Sequence, residues 1–188
     1  YPGLALWGKN EKIEGSSDLY AIPYGENVHE VFRGFHDDIL IASFAEKSVS
    51  SRAGHALMEG NAFAKPRYDQ ANKRLLRLLD AMKAGDLETF GQITENEALT
   101  LHALMMASNP SYILMRPKTL KMIEILRAYR AETKHPIYFS LDAGPNLHLL
   151  YPEDIVHEVR PFIDSQLAQF CENNYYIPDW VGNGPEQF

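Results

Sequence analysis

The 188-residue chain is 45% hydrophobic and 23% charged, with no low-complexity segment, and reads as one ordinary globular domain with a substantial core. Its formal net charge of −7 excludes a general nucleic-acid binder, because phosphate backbones are held by concentrated Lys and Arg surfaces and no basic cluster here is long. No apolar run approaches the roughly 20 residues that cross a bilayer, and the single cysteine, Cys171, allows no internal disulfide, so a reducing, cytoplasmic location is expected.

The opening YPGLALWGKNEK lacks the basic start and long apolar centre of a signal peptide, and it lacks an initiator Met, so a processed, truncated or incomplete chain is expected. YPGLALWG predicts a strand, GKNEKIEGSSD a polar loop with Gly at both ends, and LYAIPYG a short second strand. DDILIASFA, around Asp38 to Ala45, predicts a better one, since Ile39, Leu40, Ile41 and Phe44 form a mostly apolar run.

Helical spacing begins near Pro66. Leu75, Leu76, Leu78, Leu79 and Met82 share a stripe that stops at Gly85, and Asp86 is placed to cap a second helix ending before Asn109-Pro110. PKTLKMIEILRAYRAET is a third helix, with Leu120, Ile123, Ile125, Leu126 and Tyr129 apolar. The period then drops to two: HPIYFSLDA and NLHLLYP predict a hairpin joined at Gly144-Pro145. PEDIVHEVRPFIDSQLAQFC is a final helix kinked or divided at Pro161, and the Tyr- and Pro-containing tail has no clear period. The sum is an α+β fold, with helices packed on one face of a small, mostly antiparallel sheet.

Two stretches could carry chemistry. In DAGPN the lone acid Asp142 follows an apolar strand. Asp, Gly, Pro and Asn build tight turns without any function, so the turn alone does not decide between structure and chemistry. In KSVSSRAGH, two Ser and an Arg stand before a predicted short helix, a combination suited to phosphate, or else a simple cap beside a solvated Arg. The seven histidines show no i, i+4 pair and no accompanying Cys, so no metal site is expected. His102, on an apolar helix, is expected to be a hydrogen-bonded core residue. There is no G-x-S-x-G elbow and no G-x-x-x-x-G-K-[ST] phosphate loop.

Trp7 in ALWG, SVSSRAGH, LHALMMASNPSYI and YFSLDAGPNLHLLYP stand in an order that resembles the mevalonate diphosphate decarboxylases of the GHMP kinase superfamily, over most of the chain from Tyr1 to about Pro152. The resemblance implies a GHMP-kinase C-terminal-type domain over residues 25–188, with residues 1–24 a strand and loop belonging to an N-terminal domain upstream of Tyr1. It also implies ATP- and Mg2+-dependent decarboxylation of mevalonate 5-diphosphate to isopentenyl diphosphate. It carries Asp142 over as the acid at the reacting hydroxyl, and Ser51 and Arg52, with Ser50 beside them, as contacts of the substrate diphosphate. The nucleotide-binding loop lies upstream, so the chain alone is expected to be inactive. The family is commonly dimeric, so a homodimer is expected. A sister enzyme of the superfamily, a mevalonate 3-kinase or a phosphomevalonate decarboxylase, and a non-catalytic partner-binding or dimerisation domain are the alternatives.

Overall fold

The computed structural model describes residues 3–45, 54, 56–182 and 184. The three amphipathic stretches form α1 (Ala64–Ala84), α2 (Leu87–Met106) and α3 (Pro117–Thr133). Gly85 ends α1 in the left-handed region, at φ 74°, where its N–H bonds the Ala81 carbonyl. Asp86 then starts α2 as expected, its Oδ1 accepting from the Thr89 N–H at 3.0 Å. Pro117 stands in the first turn of α3, where its missing N–H costs nothing.

Four strands make the main sheet: β3 (His36–Leu40), β4 (Tyr138–Ser140), β5 (Leu147–Tyr151) and β6 (Tyr176–Ile177), in the order β4-β5-β3-β6, all antiparallel. A separate ribbon pairs β1 (Ala5–Leu6) with β2 (Ile22–Pro23). The register puts Leu40 opposite Leu147, and Phe139 and Asp38 opposite Leu149. One sheet face thus presents Leu40, Phe139, Leu147, Leu149 and Tyr151, all fully buried, to Met122 and Leu126 of α3 and to the last helix. Burial of each such side chain stabilises the fold by about 1.5–3 kcal/mol. That last helix, α4 (Val156–Phe162), contains Pro161 and continues through a π segment, Ile163–Leu167, and a 3-10 turn, Ala168–Phe170. It changes its winding after the proline rather than breaking.

Among the described residues, the opposite face is covered at one end. There Tyr138 packs with Phe32, Phe35 and Phe90, whose rings lie 5.0 to 5.3 Å apart among themselves. Gly91 is what lets α2 lie on Tyr138: a β-carbon at this position would stand 1.9 Å from Tyr138 Cδ1. Further along this face, Asp37, Ile39, Ser140 and His148 are half-buried.

The α+β architecture is the one expected from the periodicities, with three local differences. The first long strand runs over His36–Leu40 rather than 38–45, because Asp37 and Asp38 join the ladder opposite Leu150 and Leu149. The link between β4 and β5 spans residues 141–146 rather than the two residues Gly144-Pro145. The tail supplies β6, and it is fastened beyond β6 by Asp37 N–H to Asp179 O and Val181 N–H to Phe35 O, each 2.9 Å.

Candidate active site

Asp142 stands in the 141–146 link, and it is exposed, while Leu141, Gly144 and Pro145 beside it are buried. Buried backbone needs partners, and three separate elements supply them. From α2, His102 Nε2 meets the Asp142 carbonyl at 3.0 Å, and the Gly144 N–H reaches the same oxygen at 2.8 Å. From α3, the Thr119 hydroxyl donates to the Pro145 carbonyl at 2.5 Å. After β3, the Ser43 N–H donates to Asn146 Oδ1 at 3.2 Å. The link is therefore held by its backbone and by Asn146, and the acid is carried outward on a fixed support.

Two histidines flank it with opposite character. His102 is 1% exposed, and burial pushes its pKa below the usual 6.5 against the pull of the Asp142 carbonyl and charge. A carbonyl only accepts, so the neutral ring carries its proton on Nε2. The expectation of a hydrogen-bonded core histidine holds, and its acceptor is the backbone of the candidate acid itself. His148, the second residue of β5, lies on the half-open sheet face with Nδ1 at 2.9 and 3.1 Å from the two Asp37 carboxylate oxygens. That hydrogen bond raises its pKa above 6.5; burial opposes it, and the charges of Asp37 and Asp142 add to it. Sequence reasoning counted His148 among scattered histidines. The available signal was its place in the strand: with Leu147 and Leu149 inward, His148 must face the other way.

Ser50, Ser51 and Arg52, the expected diphosphate contacts, lie outside the described residues. Among the described residues no three His, Cys, Asp or Glu side chains converge as a seat for a metal ion. Among the described residues, one cavity of about 460 Å³ lies between Leu4, Val28, Phe32, Arg33 and Val181, and two of about 490 and 750 Å³ lie where the β1–β2 ribbon meets α1, all away from Asp142. Among the described helices none is long and apolar enough to cross a membrane.

The chemistry available at the turn is that of an exposed carboxylate on a rigid backbone, an arrangement fitted to accepting a proton or stabilising developing positive charge. Comparisons with known proteins agree on a family. The chain is similar to the phosphomevalonate decarboxylase of Haloferax volcanii, 23% identical over 125 residues that make up 66% of this chain and 39% of that protein. It is similar to the diphosphomevalonate decarboxylase of Danio rerio, 24% identical over 178 residues, 90% of this chain and 43% of that one. The chain thus spans less than half the length of either relative. A solved structure described as MDDEF in complex with MVAPP, AMPPCP and magnesium superposes with a TM-score of 0.74 at 25% identity, covering 90% of this chain and 51% of the other. The family model described as the mevalonate 5-diphosphate decarboxylase C-terminal domain matches residues 38–180, from β3 through the Asp142 turn to the tail, and the chain belongs to that family.

Proposed function

We propose that this chain is the C-terminal part of an ATP-dependent decarboxylase that converts mevalonate 5-diphosphate to isopentenyl diphosphate, ADP, phosphate and CO2, with Asp142 as its catalytic carboxylate. The observation that carries this reading is the exposed Asp142 on a turn tethered from α2, α3 and the segment after β3. A tertiary alcohol is a weak nucleophile. Asp142 takes its proton as the alcohol oxygen forms its bond to the terminal phosphorus of ATP and the bond from that phosphorus to the bridging oxygen breaks, with ADP leaving. The carbon–oxygen bond then breaks with phosphate leaving, and the bond to the carboxylate carbon breaks with CO2 leaving, its electron pair forming the double bond. The carbon at which positive charge develops lies beside the same fixed carboxylate, which lowers the barrier of this second step.

Ser51 and Arg52, with Ser50 beside them, hold the substrate diphosphate in this proposal and bring the reacting carbon to Asp142 by binding energy remote from it. ATP with Mg2+ is the phosphoryl donor, by analogy with the AMPPCP and magnesium bound with MVAPP in MDDEF. The described residues offer no three-donor cation seat, so this chain contributes charge and hydrogen bonding at the reacting hydroxyl. Residues 1–24 belong with the nucleotide-binding part of a longer enzyme, and the assembly is a cytoplasmic homodimer, checked by sedimentation of the full-length protein and by cell fractionation.

The similarity to the Haloferax volcanii protein favours one competing reading, a decarboxylase of the monophosphate. Substrate profiling of the full-length protein tests both. Release of CO2, ADP and phosphate from mevalonate 5-diphosphate, at much higher kcat/KM than from the monophosphate, is expected. A preference for the monophosphate transfers the assignment to the competing reading, and phosphorylation without CO2 overturns decarboxylation.

A further inference from the structure

Seven polar side chains are buried among the described residues, and two of them, on different helices, direct hydrogen bonds to the same turn, the 141–146 link. His102 of α2 is 1% exposed and Thr119 of α3 is fully buried. Both expose too little to touch a substrate. Each ends instead on a backbone oxygen, His102 on that of Asp142 and Thr119 on that of Pro145. An apolar side chain at either place would fill the core with no partner to satisfy. The Thr119 hydroxyl also accepts the Arg116 N–H at 3.2 Å, which ties the start of α3 to the turn.

Holding these two oxygens fixes where the acid points. The Asp142 carbonyl accepts from His102 Nε2 at 3.0 Å and from the Gly144 N–H at 2.8 Å, which stops the peptide after Asp142 from rotating. Leu141 before it is buried, so the backbone on both sides of the Asp142 α-carbon is set, and with it the direction in which the side chain leaves. Thr119 holds the far end of the turn to α3. A proton acceptor works only within hydrogen-bond reach of its donor, and a displacement of about 1 Å costs on the order of a hundredfold in rate. We infer that His102 and Thr119 are positioning residues for the reaction, acting through the backbone of the turn to keep the Asp142 carboxylate at the reacting hydroxyl. This rests on Asp142 being the proton acceptor.

The test is kcat, KM and melting temperature of the full-length enzyme as wild type, Thr119→Val, Thr119→Ser, His102→Leu and His102→Gln, each also combined with Asp142→Asn. Thr119→Val keeps the shape of the side chain and loses the hydroxyl. It is expected to lower kcat about ten- to hundredfold with KM within a few-fold of wild type. Thr119→Ser keeps the donor and restores most of the rate. His102→Leu falls as Thr119→Val does, and His102→Gln, whose amide nitrogen stands near the place of Nε2, recovers most of the loss. A double-mutant cycle separates positioning from a general disturbance of the fold. With Asp142→Asn in place no carboxylate is left to position, so Thr119→Val and His102→Leu should change the residual rate by less than about twofold. Equal losses with and without Asp142→Asn overturn the inference. A near-normal kcat in Thr119→Val or His102→Leu overturns the role of that residue, and if Asp142→Asn is inactive the proposed function stands. An active Asp142→Asn enzyme overturns the proposed function together with this inference. Thr119→Val decides alone if His102→Leu does not fold.

Discussion

Asp38 and Asp142 are acids of similar local sequence, each abutting an apolar run, and the structure uses them in opposite ways. Asp38 is fully buried on the core face of β3, and its partners bind the carboxylate itself: the Tyr151 hydroxyl donates to Oδ2 at 2.6 Å and the Asp179 N–H to Oδ1 at 3.1 Å. Burial nonetheless raises its pKa above the ordinary carboxylate value, with those two bonds and the charge of Arg160 pulling the other way. The Asp142 residue is exposed, and the partners of its turn bind backbone atoms and Asn146. Asp38 is a buried acid that fastens the C-terminal tail to the sheet. Asp142 is an exposed acid on a turn fixed from three sides.

The largest effect that sharpens this contrast belongs to Asp142. In the full-length enzyme Asp142→Ala is expected to lower kcat by about 10³-fold or more while leaving the melting temperature near wild type, as loss of a group that acts mainly in the transition state. Asp38→Ala should do the reverse. It strands the Tyr151 hydroxyl and the Asp179 N–H, costing about 2–4 kcal/mol, which lowers the melting temperature by about 5–15 °C in thermal denaturation, with KM unchanged once the protein is folded. Asp38→Asn keeps both contacts and loses less. Equal activity and stability effects for the two acids would erase the distinction.

Gly91→Ala probes the packing beneath β4. The new β-carbon would meet Tyr138 Cδ1 at 1.9 Å and Cε1 at 2.1 Å, and forcing α2 away should cost about 1–3 kcal/mol by chemical denaturation. The smallest effect is a pH dependence. His102 is held neutral by burial, so as pH falls below its ordinary 6.5 the unfolded chain takes up a proton that the folded chain refuses, and stability declines until the lowered folded pKa is reached. His102→Gln should flatten stability across that window, and an unchanged slope would mean that His102 protonates freely in the fold.

The helices were legible because their stripes, their caps at Asp86 and Pro117 and their stop at Gly85 are local. The tail strand was not: Tyr176–Ile177 has no period of its own, and it forms only because β3 offers an edge and Asp38 a fastening point more than a hundred residues away. The same limit applies to the site. The residues DAGPN predict a turn, but the tethers from His102, Thr119 and Ser43 are long-range contacts that no local pattern encodes. Family resemblance singled out Asp142 where turn chemistry could not. It offered nothing on His148, whose partner Asp37 lies 111 residues away.

Substrate binding and single-turnover CO2 release, measured together on the full-length Asp142→Asn enzyme with mevalonate 5-diphosphate and ATP, test the central claim most directly. The expected result is a Kd within a few-fold of wild type and CO2 release slower by about 10³-fold. Near-normal release would contradict the assignment of Asp142 as the catalytic carboxylate.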